Sequence, residues 1–295
     1  MIIDGKAHSN KIKLELKEKI SLEGCTPTLV IITVGDNAAS QVYVRNKIKS
    51  CNEVGINVIN KKYDKSEADS VIVADIMKLN KDNNVHGVMV QLPLPEGHDT
   101  QYVIDSIDPV KDVDGLTTLN IGKLHSGQHC FTPCTPAGIV NLLDANHVSI
   151  SGMHVLIIGR SNIVGKPIAE LFTQRNATVT LCHSKTPKED LLRLFAASDI
   201  VVSAVGKHNI ISEDDAYEYM KDYRHDFYNS FKTKKYRTIV DVGINRDSNG
   251  KLCGDFTEEF KQRYSALYTP VPGGVGPMTV AMLLQNTYQA WLETQ

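Results

Sequence analysis

A serine, a tyrosine and a lysine at helical spacing are the first candidates for chemistry in this sequence. On a helix, Ser40, Tyr43 and Lys47 would lie on one side together with apolar residues, whereas Arg45 and Lys49 would face water. A lysine held on an apolar arc is partly desolvated, which makes it a better proton acceptor, and Tyr43 can hydrogen-bond to it or stack on a ring. A lysine that reaches into solvent from a helix edge gives the same pattern, so the segment alone supports both interpretations.

Three loops add polar or rigid groups to this set. Gln91 follows a predicted buried strand, at the carboxyl end where α/β proteins place ligands. Asp112 and Asp114 fall in the turn 111–115, which an Asp-Gly turn alone would explain. The loop 268–279 contains three glycines and three prolines, so it is either a rigid turn or a backbone clamp on a ligand.

A glycine-containing turn between a predicted strand and a predicted helix is typical of a dinucleotide site. After the strand 154–158, Gly159 lets the chain turn sharply, Gly165 lets helix and strand approach, and N–H groups at the helix start suit a pyrophosphate. Ser161 replaces the second glycine of the usual motif and Gly165 falls one residue late, so an empty crevice is the alternative. The segment is not a Walker loop, because Pro167 stands where Ser or Thr would bind magnesium.

The residues after the next predicted strand favour NADP over NAD. An NAD site usually has an acidic residue near this strand end, which accepts from the ribose 2′-hydroxyl. No Asp or Glu occurs between Glu170 and Glu189. Arg160, Ser184 and Lys185 supply instead the cations and the hydroxyl donor that suit a 2′-phosphate.

Short apolar runs alternate with helix-period stretches and predict the elements that position these groups. Strands are expected at 28–34, 57–59, 85–90, 154–158, 178–181, 200–203 and 238–242. Helices are expected around 7–20, 37–54, 67–80, 136–146, 165–175, 188–196 and 278–293. Strands rich in Val and Ile that alternate with helices predict an α/β fold, with parallel sheets covered by helices on both faces. The length favours two domains, and the loop-rich stretch 108–136 is the best candidate for their boundary.

The segment 206–241 is longer than a crossover between two strands requires. Tyr219, Tyr223, Phe227 and Phe231 recur every four residues and predict a helix with an aromatic face. This face would pack on its own domain or on a partner subunit, because so many rings cannot all lie in water.

Composition excludes several classes of protein. The 295 residues carry 32 basic and 34 acidic side chains, so neither nucleic acid nor an anionic membrane gains long-range attraction. The first residues lack the basic and apolar regions of a signal peptide, so we expect no secretory signal. The apolar runs are too short to span a bilayer, and the six cysteines form no C-x-x-C pair. We therefore expect a cytoplasmic enzyme with reduced thiols and no metal site, which binds neither nucleic acid nor membrane.

Together, the motifs resemble those of bifunctional methylenetetrahydrofolate dehydrogenase/methenyltetrahydrofolate cyclohydrolase. They occur in the order of that family and span nearly the whole chain. The matching segments are 40–51, 90–94, 111–116, 133–138, 159–167, 241–245 and 269–279. The aromatic segment 206–241 departs from the family, which usually bridges this region more briefly.

The resemblance implies one domain for folate and one for NADP. It assigns residues 1–120 and 278–295 to an N-terminal parallel α/β domain that binds folate, and residues 121–277 to a Rossmann-like domain that binds NADP. The C-terminal helix packs back on the first domain. The resemblance also implies a homodimer.

By resemblance, the protein catalyses two steps. A hydride leaves 5,10-methylenetetrahydrofolate for NADP, and water then opens the 5,10-methenyl product to 10-formyltetrahydrofolate. Lys47 is the acid–base group of the water step, tuned by Tyr43 and Gln91, and Asp114 accepts from the pterin N–H groups. The other implied contacts are to the substrate from Ser40, Tyr43, Pro272, Gly273 and Gly274, and to the cofactor from Gly159, Arg160, Ser161, Gly165, Ser184, Lys185 and Ile244.

Other functions stay open at this point. A monofunctional NAD(P)-dependent dehydrogenase would need no general base, so Lys47 argues against it. A non-catalytic NADP-binding protein is disfavoured because Tyr43, Lys47, Gln91 and Asp114 are all present. Short-chain dehydrogenases share the Tyr-x-x-x-Lys pattern, but their glycine-rich turn precedes it, whereas here Gly159 comes far after Lys47.

Overall fold

The computed structural model describes three stretches of the chain, which are residues 1–222, 237–247 and 249–294. The chain divides into two compact units. The first unit comprises Ser9–Cys134 and Thr279–Gln295, and the second comprises Met1–His8 and Thr135–Met278. The division therefore follows residue 134 rather than residue 120, and the first eight residues join the second unit.

Hydrogen bonds explain both differences from the expected division. The Ile3 N–H donates to the Tyr268 carbonyl at 2.8 Å and Ile2 forms a parallel bridge with Tyr268, which adds the start of the chain to the sheet of the second unit. In the first unit, Asn286 Nδ2 donates to the Thr132 carbonyl at 3.3 Å. This bond ties the residues just before the division to the last helix.

A three-stranded parallel sheet forms the centre of the first unit. Its strands are β1 (Thr28–Val34), β2 (Asn57–Tyr63) and β3 (Gly87–Val90). The helices of this part of the chain are α1 (Gly5–Glu23), α2 (Ala38–Val54), α3 (Asp69–Lys81), α4 (Thr100–Asp105) and α5 (Thr118–His125). The strand order is β2–β1–β3, so all of β1 is buried between its neighbours while the edge strand β2 is partly exposed.

A five-stranded parallel sheet forms the centre of the second unit. Its strands are β4 (His154–Ile158), β5 (Thr178–Cys182), β6 (Ile200–Ser203), β7 (Thr238–Asp241) and β10 (Leu267–Tyr268). Between β7 and β10 in the chain, β8 (Asn245–Arg246) and β9 (Leu252–Cys253) form a separate antiparallel hairpin. The helices are α6 (Cys134–Ala145), α7 (Gly165–Gln174), α8 (Lys188–Ala197), α9 (Glu213–Asp222) and α10 (Glu258–Tyr264). In the order β10–β7–β6–β4–β5, the direction of winding reverses between β4 and β6, where doubly wound folds bind ligands.

The last helix, α11 (Val275–Leu292), belongs to both units. It begins in the second unit, and its residues from Thr279 onward lie in the first. There, Tyr288 Oη donates to Glu23 Oε1 at 2.7 Å, at the end of α1. The predicted α/β fold with two parallel sheets and a C-terminal helix that packs on the N-terminal part is confirmed.

Aromatic rings fill part of the core of the second unit. The rings of Phe256 and Phe260 stack with their centroids 5.1 Å apart, and Phe195 lies 5.5 Å from Phe260. Tyr219 in α9 is buried in the same cluster, so the start of the predicted aromatic face packs on its own domain. The other three positions of that face lie outside the described residues, and they are Tyr223, Phe227 and Phe231.

Within the described ranges, none of the helices combines the length and the apolar character needed to cross a membrane. No group of three or more His, Cys, Asp or Glu side chains in that part of the chain is arranged to hold a metal ion. The six cysteines are all free thiols.

Candidate active site

Helix α2 begins and ends at defined caps, which fix the side chains that it presents. The Asn37 side chain accepts a hydrogen bond from the Ser40 N–H at 3.0 Å and satisfies one donor of the first turn. Gly55 ends the helix with a φ of 94°, a left-handed conformation that glycine adopts without strain. These caps fix the first and last residues of the helix, and its buried residues Val44, Cys51 and Val54 fix which side faces the core.

The predicted sides of α2 are those of the structure except at Tyr43, which its spacing places on the apolar side but which is exposed. Ser40 is buried and Lys47 is half-buried, whereas Arg45 is exposed and the Lys49 side chain is 77% exposed. Tyr43 is 40% exposed. Part of its ring is therefore accessible to a ligand, one helical turn before Lys47.

Gln91 holds the ammonium group of Lys47 at the carboxyl end of β3. Lys47 Nζ donates to Gln91 Oε1 at 3.0 Å and lies 3.7 Å from Met89 Sδ. Gln91 itself is buried, its backbone N–H donates to the Ile32 carbonyl at 2.8 Å, and its Nε2 donates to the Leu92 carbonyl at 2.7 Å. The amide is thus fixed with its oxygen directed at Lys47.

The two aspartates of the turn 111–115 have different environments. Asp112 is 1% exposed and accepts from the N–H groups of Gly115 at 3.0 Å and Thr117 at 2.8 Å, and from Asn120 Nδ2 at 2.9 Å. Asp112 therefore stabilises the turn. These hydrogen bonds do not involve the Asp114 carboxyl.

Asp114 lies close enough to Lys47 to feel its charge. Burial raises the pKa of the Asp114 carboxyl, and the positive charge of Lys47 opposes this shift. The Cys134 thiol also forms a hydrogen bond with this carboxyl. The Lys47 side chain, its amide partner Gln91 and the Asp114 carboxyl are thus collected within the first unit.

Cys134 and Asn286, which the sequence analysis did not assign to the site, hold the backbone beside Asp114. Asn286 Nδ2 donates to the Val113 carbonyl at 2.9 Å, and Cys134 Sγ donates to the same carbonyl at 3.3 Å. Burial raises the pKa of the Cys134 thiol well above its usual range, so the thiol stays protonated. The motif 133–138 contains Cys134, but no local pattern marks Asn286, because Val113 lies 173 residues away.

His98 anchors the loop that follows Gln91. Its Nδ1 lies 2.5 Å from Asp69 Oδ1 and its Nε2 lies 3.1 Å from the Lys65 carbonyl. Because both nitrogens face acceptors, only the protonated ring donates to both. The hydrogen bond to Asp69 raises the pKa of His98, and the same bond lowers the pKa of Asp69.

The glycine turn after β4 lies against the loop after β6. Gly159 has a φ of 121°, and a Cβ atom there would lie 2.5 Å from the Ala204 carbonyl oxygen. A Cβ atom on Gly165 would lie 2.2 Å from the Gly159 oxygen, so both glycines permit the close approach that their spacing predicted. Ser161 Oγ accepts from the N–H groups of Val164 and Gly165, which engages two of the groups expected to face a pyrophosphate.

Arg160, Ser184 and Lys185 follow neighbouring strands of the same sheet. Ile158 at the end of β4 pairs with Cys182 at the end of β5, so the residues that come next share the carboxyl edge of the sheet. All three side chains are exposed. Their donors are therefore accessible to an anion at this edge.

The remaining predicted site residues also lie in the second unit. Ile244 follows β7 and is 52% exposed. Pro272, Gly273 and Gly274 follow β10, where the Gly273 carbonyl accepts from the Lys6 N–H at 2.9 Å. The predicted contacts of these residues with cofactor and pterin stay predictions.

Two family models match this chain, one in its N-terminal part and one in its C-terminal part. Residues 3–114 match the family model described as tetrahydrofolate dehydrogenase/cyclohydrolase, catalytic domain. Residues 133–219 and 224–295 match the model described as tetrahydrofolate dehydrogenase/cyclohydrolase, NAD(P)-binding domain. The chain belongs to this family. The prediction of an enzyme that is both a dehydrogenase and a cyclohydrolase of tetrahydrofolate derivatives is confirmed.

Relatives in this family match over nearly the whole chain. The bifunctional protein FolD of Streptococcus mutans is 44% identical over 297 residues, which cover 99% of this chain and 98% of that protein. The crystal structure of the FolD dehydrogenase/cyclohydrolase of Campylobacter jejuni has a TM-score of 0.90 at 40% identity and covers 100% of this chain and 99% of its own. The Trypanosoma brucei enzyme, solved with NADP cofactor and inhibitor, has a TM-score of 0.88 at 34% identity, with coverages of 99% and 97%.

Proposed function

We propose that Lys47, Gln91 and Asp114 form the folate site of this dehydrogenase/cyclohydrolase. At this site the protein would oxidise 5,10-methylenetetrahydrofolate with NADP and hydrolyse the 5,10-methenyl product to 10-formyltetrahydrofolate. The observation that carries the assignment is the 3.0 Å bond from Lys47 Nζ to Gln91 Oε1 at the carboxyl end of β3, with Asp114 beside it. Ligands bind at this end of the strands in α/β folds.

In the water step, Lys47 is the group that moves a proton. As a neutral amine, it takes one proton from the water that attacks the methenyl carbon, and it returns this proton to the ring nitrogen when the carbon–nitrogen bond breaks. The proton of the new hydroxyl group leaves to solvent as the formyl carbon–oxygen double bond forms. Gln91 keeps the Lys47 side-chain nitrogen in place with its Oε1, since its own Nε2 is bound to the Leu92 carbonyl. Tyr43, whose ring is partly accessible, stacks along the folate next to Ser40.

Asp114 binds the pterin rather than reacting with it. A carboxylate accepts two hydrogen bonds at once, which suits the adjacent amine and N–H groups of a pterin edge. Asp112 already satisfies the turn, so the Asp114 carboxyl is not required there. The Cys134 thiol and the Asn286 amide keep the backbone beside Asp114 in position.

The cofactor site that we propose lies in the second unit and prefers NADP to NAD. NADP, when bound, supplies the nicotinamide that accepts the hydride. Gly159 leaves the switch point between β4 and β6 free of a side chain, as a dinucleotide requires. Arg160, Ser184 and Lys185 would hold the 2′-phosphate, and each charge-assisted bond would contribute about 1.5–3 kcal/mol. The NADP complex of the Trypanosoma brucei relative supports this choice.

We also propose that the protein is a cytoplasmic homodimer. Among the described residues, β5 pairs only with β4, so one edge of this five-residue strand carries unpaired backbone groups. At the opposite edge, β10 is short and is covered by Ile2. An uncovered strand edge favours pairing with a second copy. Light scattering after size exclusion would measure the mass, and a monomer at micromolar concentration would contradict the dimer.

The proposed cytoplasmic location is supported by the cysteines, because six free thiols fit a reducing compartment.

Two absorbance assays test the activities against the alternatives. The purified protein is mixed with methylenetetrahydrofolate and either NADP or NAD, and formation of reduced cofactor is followed. Methenyltetrahydrofolate is then supplied alone, and its hydrolysis is compared with the rate in buffer. Reduction without faster hydrolysis would indicate a monofunctional dehydrogenase. Neither reaction would indicate a non-catalytic protein.

A further inference from the structure

A buried carboxylate in the second unit has all its acceptor positions filled. Asp255 is fully buried. Its Oδ2 accepts from Ser203 Oγ at 2.7 Å and from the Val205 N–H at 2.9 Å. Its Oδ1 accepts from the Lys207 N–H and from Asn245 Nδ2, both at 2.9 Å. A carboxylate offers about four acceptor sites, so these four donors satisfy it completely.

Three of these four donors belong to one loop, which continues from the end of β6. The loop wraps around Asp255, because the Ile210 N–H also donates to the Asp255 backbone carbonyl at 3.0 Å. His208 Nδ1 lies 3.1 Å from the Gly254 carbonyl, next in the chain. The segment 203–210 therefore takes its shape from hydrogen bonds to residues 254 and 255.

The same loop forms one wall of the switch point. The Ala204 carbonyl oxygen would lie only 2.5 Å from a Cβ atom on Gly159, so the loop and the glycine turn face each other at the carboxyl ends of β6 and β4. A displacement of the loop would change the width of this crevice directly. A group that fixes the loop before the ligand arrives lowers the ordering cost of binding.

We propose that Asp255 is a positioning residue for NADP, because it fixes the loop 203–207 that faces Gly159 across the dinucleotide crevice. The inference rests on the proposed cofactor site in the second unit. Asp255 is not itself a cofactor contact. It acts through the backbone of Val205 and Lys207.

The variant Asp255→Asn tests the idea with little change in shape. Asparagine keeps one acceptor oxygen, but its NH2 group would face two of the present donors. We expect the Kd for NADPH, measured by fluorescence titration, to rise at least about tenfold because two or more bonds are lost. The KM for methenyltetrahydrofolate and the rate of its hydrolysis should stay near the wild-type values, because that reaction consumes no NADP.

Thr257→Ala is a matched control for lost stability. Its Oγ1 accepts from the Phe260 N–H at 3.1 Å and caps α10, two residues beyond Asp255, but makes no bond to the loop. Loss of such a cap destabilises the fold, so Tm should fall while the Kd for NADPH stays unchanged. If Asp255→Asn does not fold, Ser203→Ala removes a single donor and should raise the Kd about two- to tenfold.

The outcomes separate this inference from the proposed function. Normal NADPH binding by the wild type together with unchanged binding by Asp255→Asn, or by Ser203→Ala in its place, would overturn the inference alone. If Asp255→Asn lowers both activities by the same factor and also lowers Tm, while the Kd for NADPH stays unchanged, then Asp255 is merely structural. A wild-type protein that binds no NADPH would overturn the proposed cofactor site, and the inference with it.

Discussion

The variant Lys47→Met tests whether Lys47 acts in catalysis or contributes only to packing. Methionine keeps most of the apolar stem but has no proton to give or take. Loss of a positioned acid–base group typically slows a step by about 10² to 10⁴, which raises its barrier by about 3–5 kcal/mol. We expect a loss of this size for the hydrolysis of methenyltetrahydrofolate. Hydride transfer needs no general base, so the dehydrogenase should lose less.

The same change should leave the fold intact. Lys47→Met removes the charged donor of Gln91 Oε1, and an unpaired buried acceptor costs about 1–3 kcal/mol. The cost in free energy of unfolding should lie at the lower end of this range, because Lys47 is half-buried and water can reach the Gln91 amide in the variant. A cost of about 1 kcal/mol lowers Tm by only about 2–4 °C in a protein of this size class. A large fall in Tm would therefore signal a different effect.

Lys49→Met is the control on the same helix. Lys49 is 77% exposed and its closest ion-pair partner, Glu53, lies at 4.0 Å, so its removal should cost no more than about 0.5 kcal/mol. Hydrolysis of methenyltetrahydrofolate is followed for both variants at saturating substrate, with the KM determined separately. Near-wild-type hydrolysis by Lys47→Met, or an equal loss in Lys49→Met, would refute the assignment of Lys47.

Three further changes have distinct expected results. Asp114→Ala should raise the KM for folate about 10- to 100-fold in both activities, since it removes one or two charge-assisted bonds, whereas a turn residue would change only Tm. Arg160→Ala should lower kcat/KM for NADP by about tenfold or more and leave that for NAD unchanged, and an equal effect on both cofactors would contradict a 2′-phosphate contact. His98→Gln should lower Tm most near pH 6. The ion pair with Asp69 is complete below about pH 6.5 and is lost as pH rises through the raised pKa of His98, so a difference in Tm that is constant from pH 6 to 9 would contradict this coupling.

The sequence predicts the central strands of both sheets well, because a buried strand is a continuous run of apolar residues. The run 154–158 is β4 to the residue, and the run 28–34 is β1. The strand β2 extends to Tyr63, beyond its predicted end at 59, because residues 60–62 of this edge strand are polar and show no apolar run. Periodicity therefore marked buried strands and missed the polar half of an exposed one.

Helix α5 shows what local patterns cannot reveal. Its eight residues fall in the stretch 108–136, which the sequence predicts to be rich in loops. The helix is held by contacts from elsewhere, since Asp105 accepts from both the N–H and the hydroxyl of Thr118, and Asp112 accepts from Asn120. Isolated helices of this length are marginal in water, so tertiary contacts decide whether they form.

The candidate site likewise has features that local sequence patterns predict and features that they do not. The side of α2 that carries Lys47 follows from helical spacing, and the place of Gln91 follows from the end of a buried strand. The distinct environments of Asp112 and Asp114 do not, because they depend on which backbone groups the turn brings to each carboxylate. Asn286 and Asp255 act on partners 173 and 52 residues away, where no short motif can record the contact.

The exchange of termini between the two units limits how the chain can be cut. A fragment that ends at Cys134 would lack Asn286, which holds the backbone beside Asp114, and Tyr288, which binds the end of α1. A fragment that starts at Thr135 would lack Ile3 and so leave the outer edge of β10 without its hydrogen bond from the start of the chain. Neither half can be excised as a contiguous piece with its fold complete. Insertions and circular permutations should therefore be better tolerated in exposed loops inside a unit than cleavage between the units.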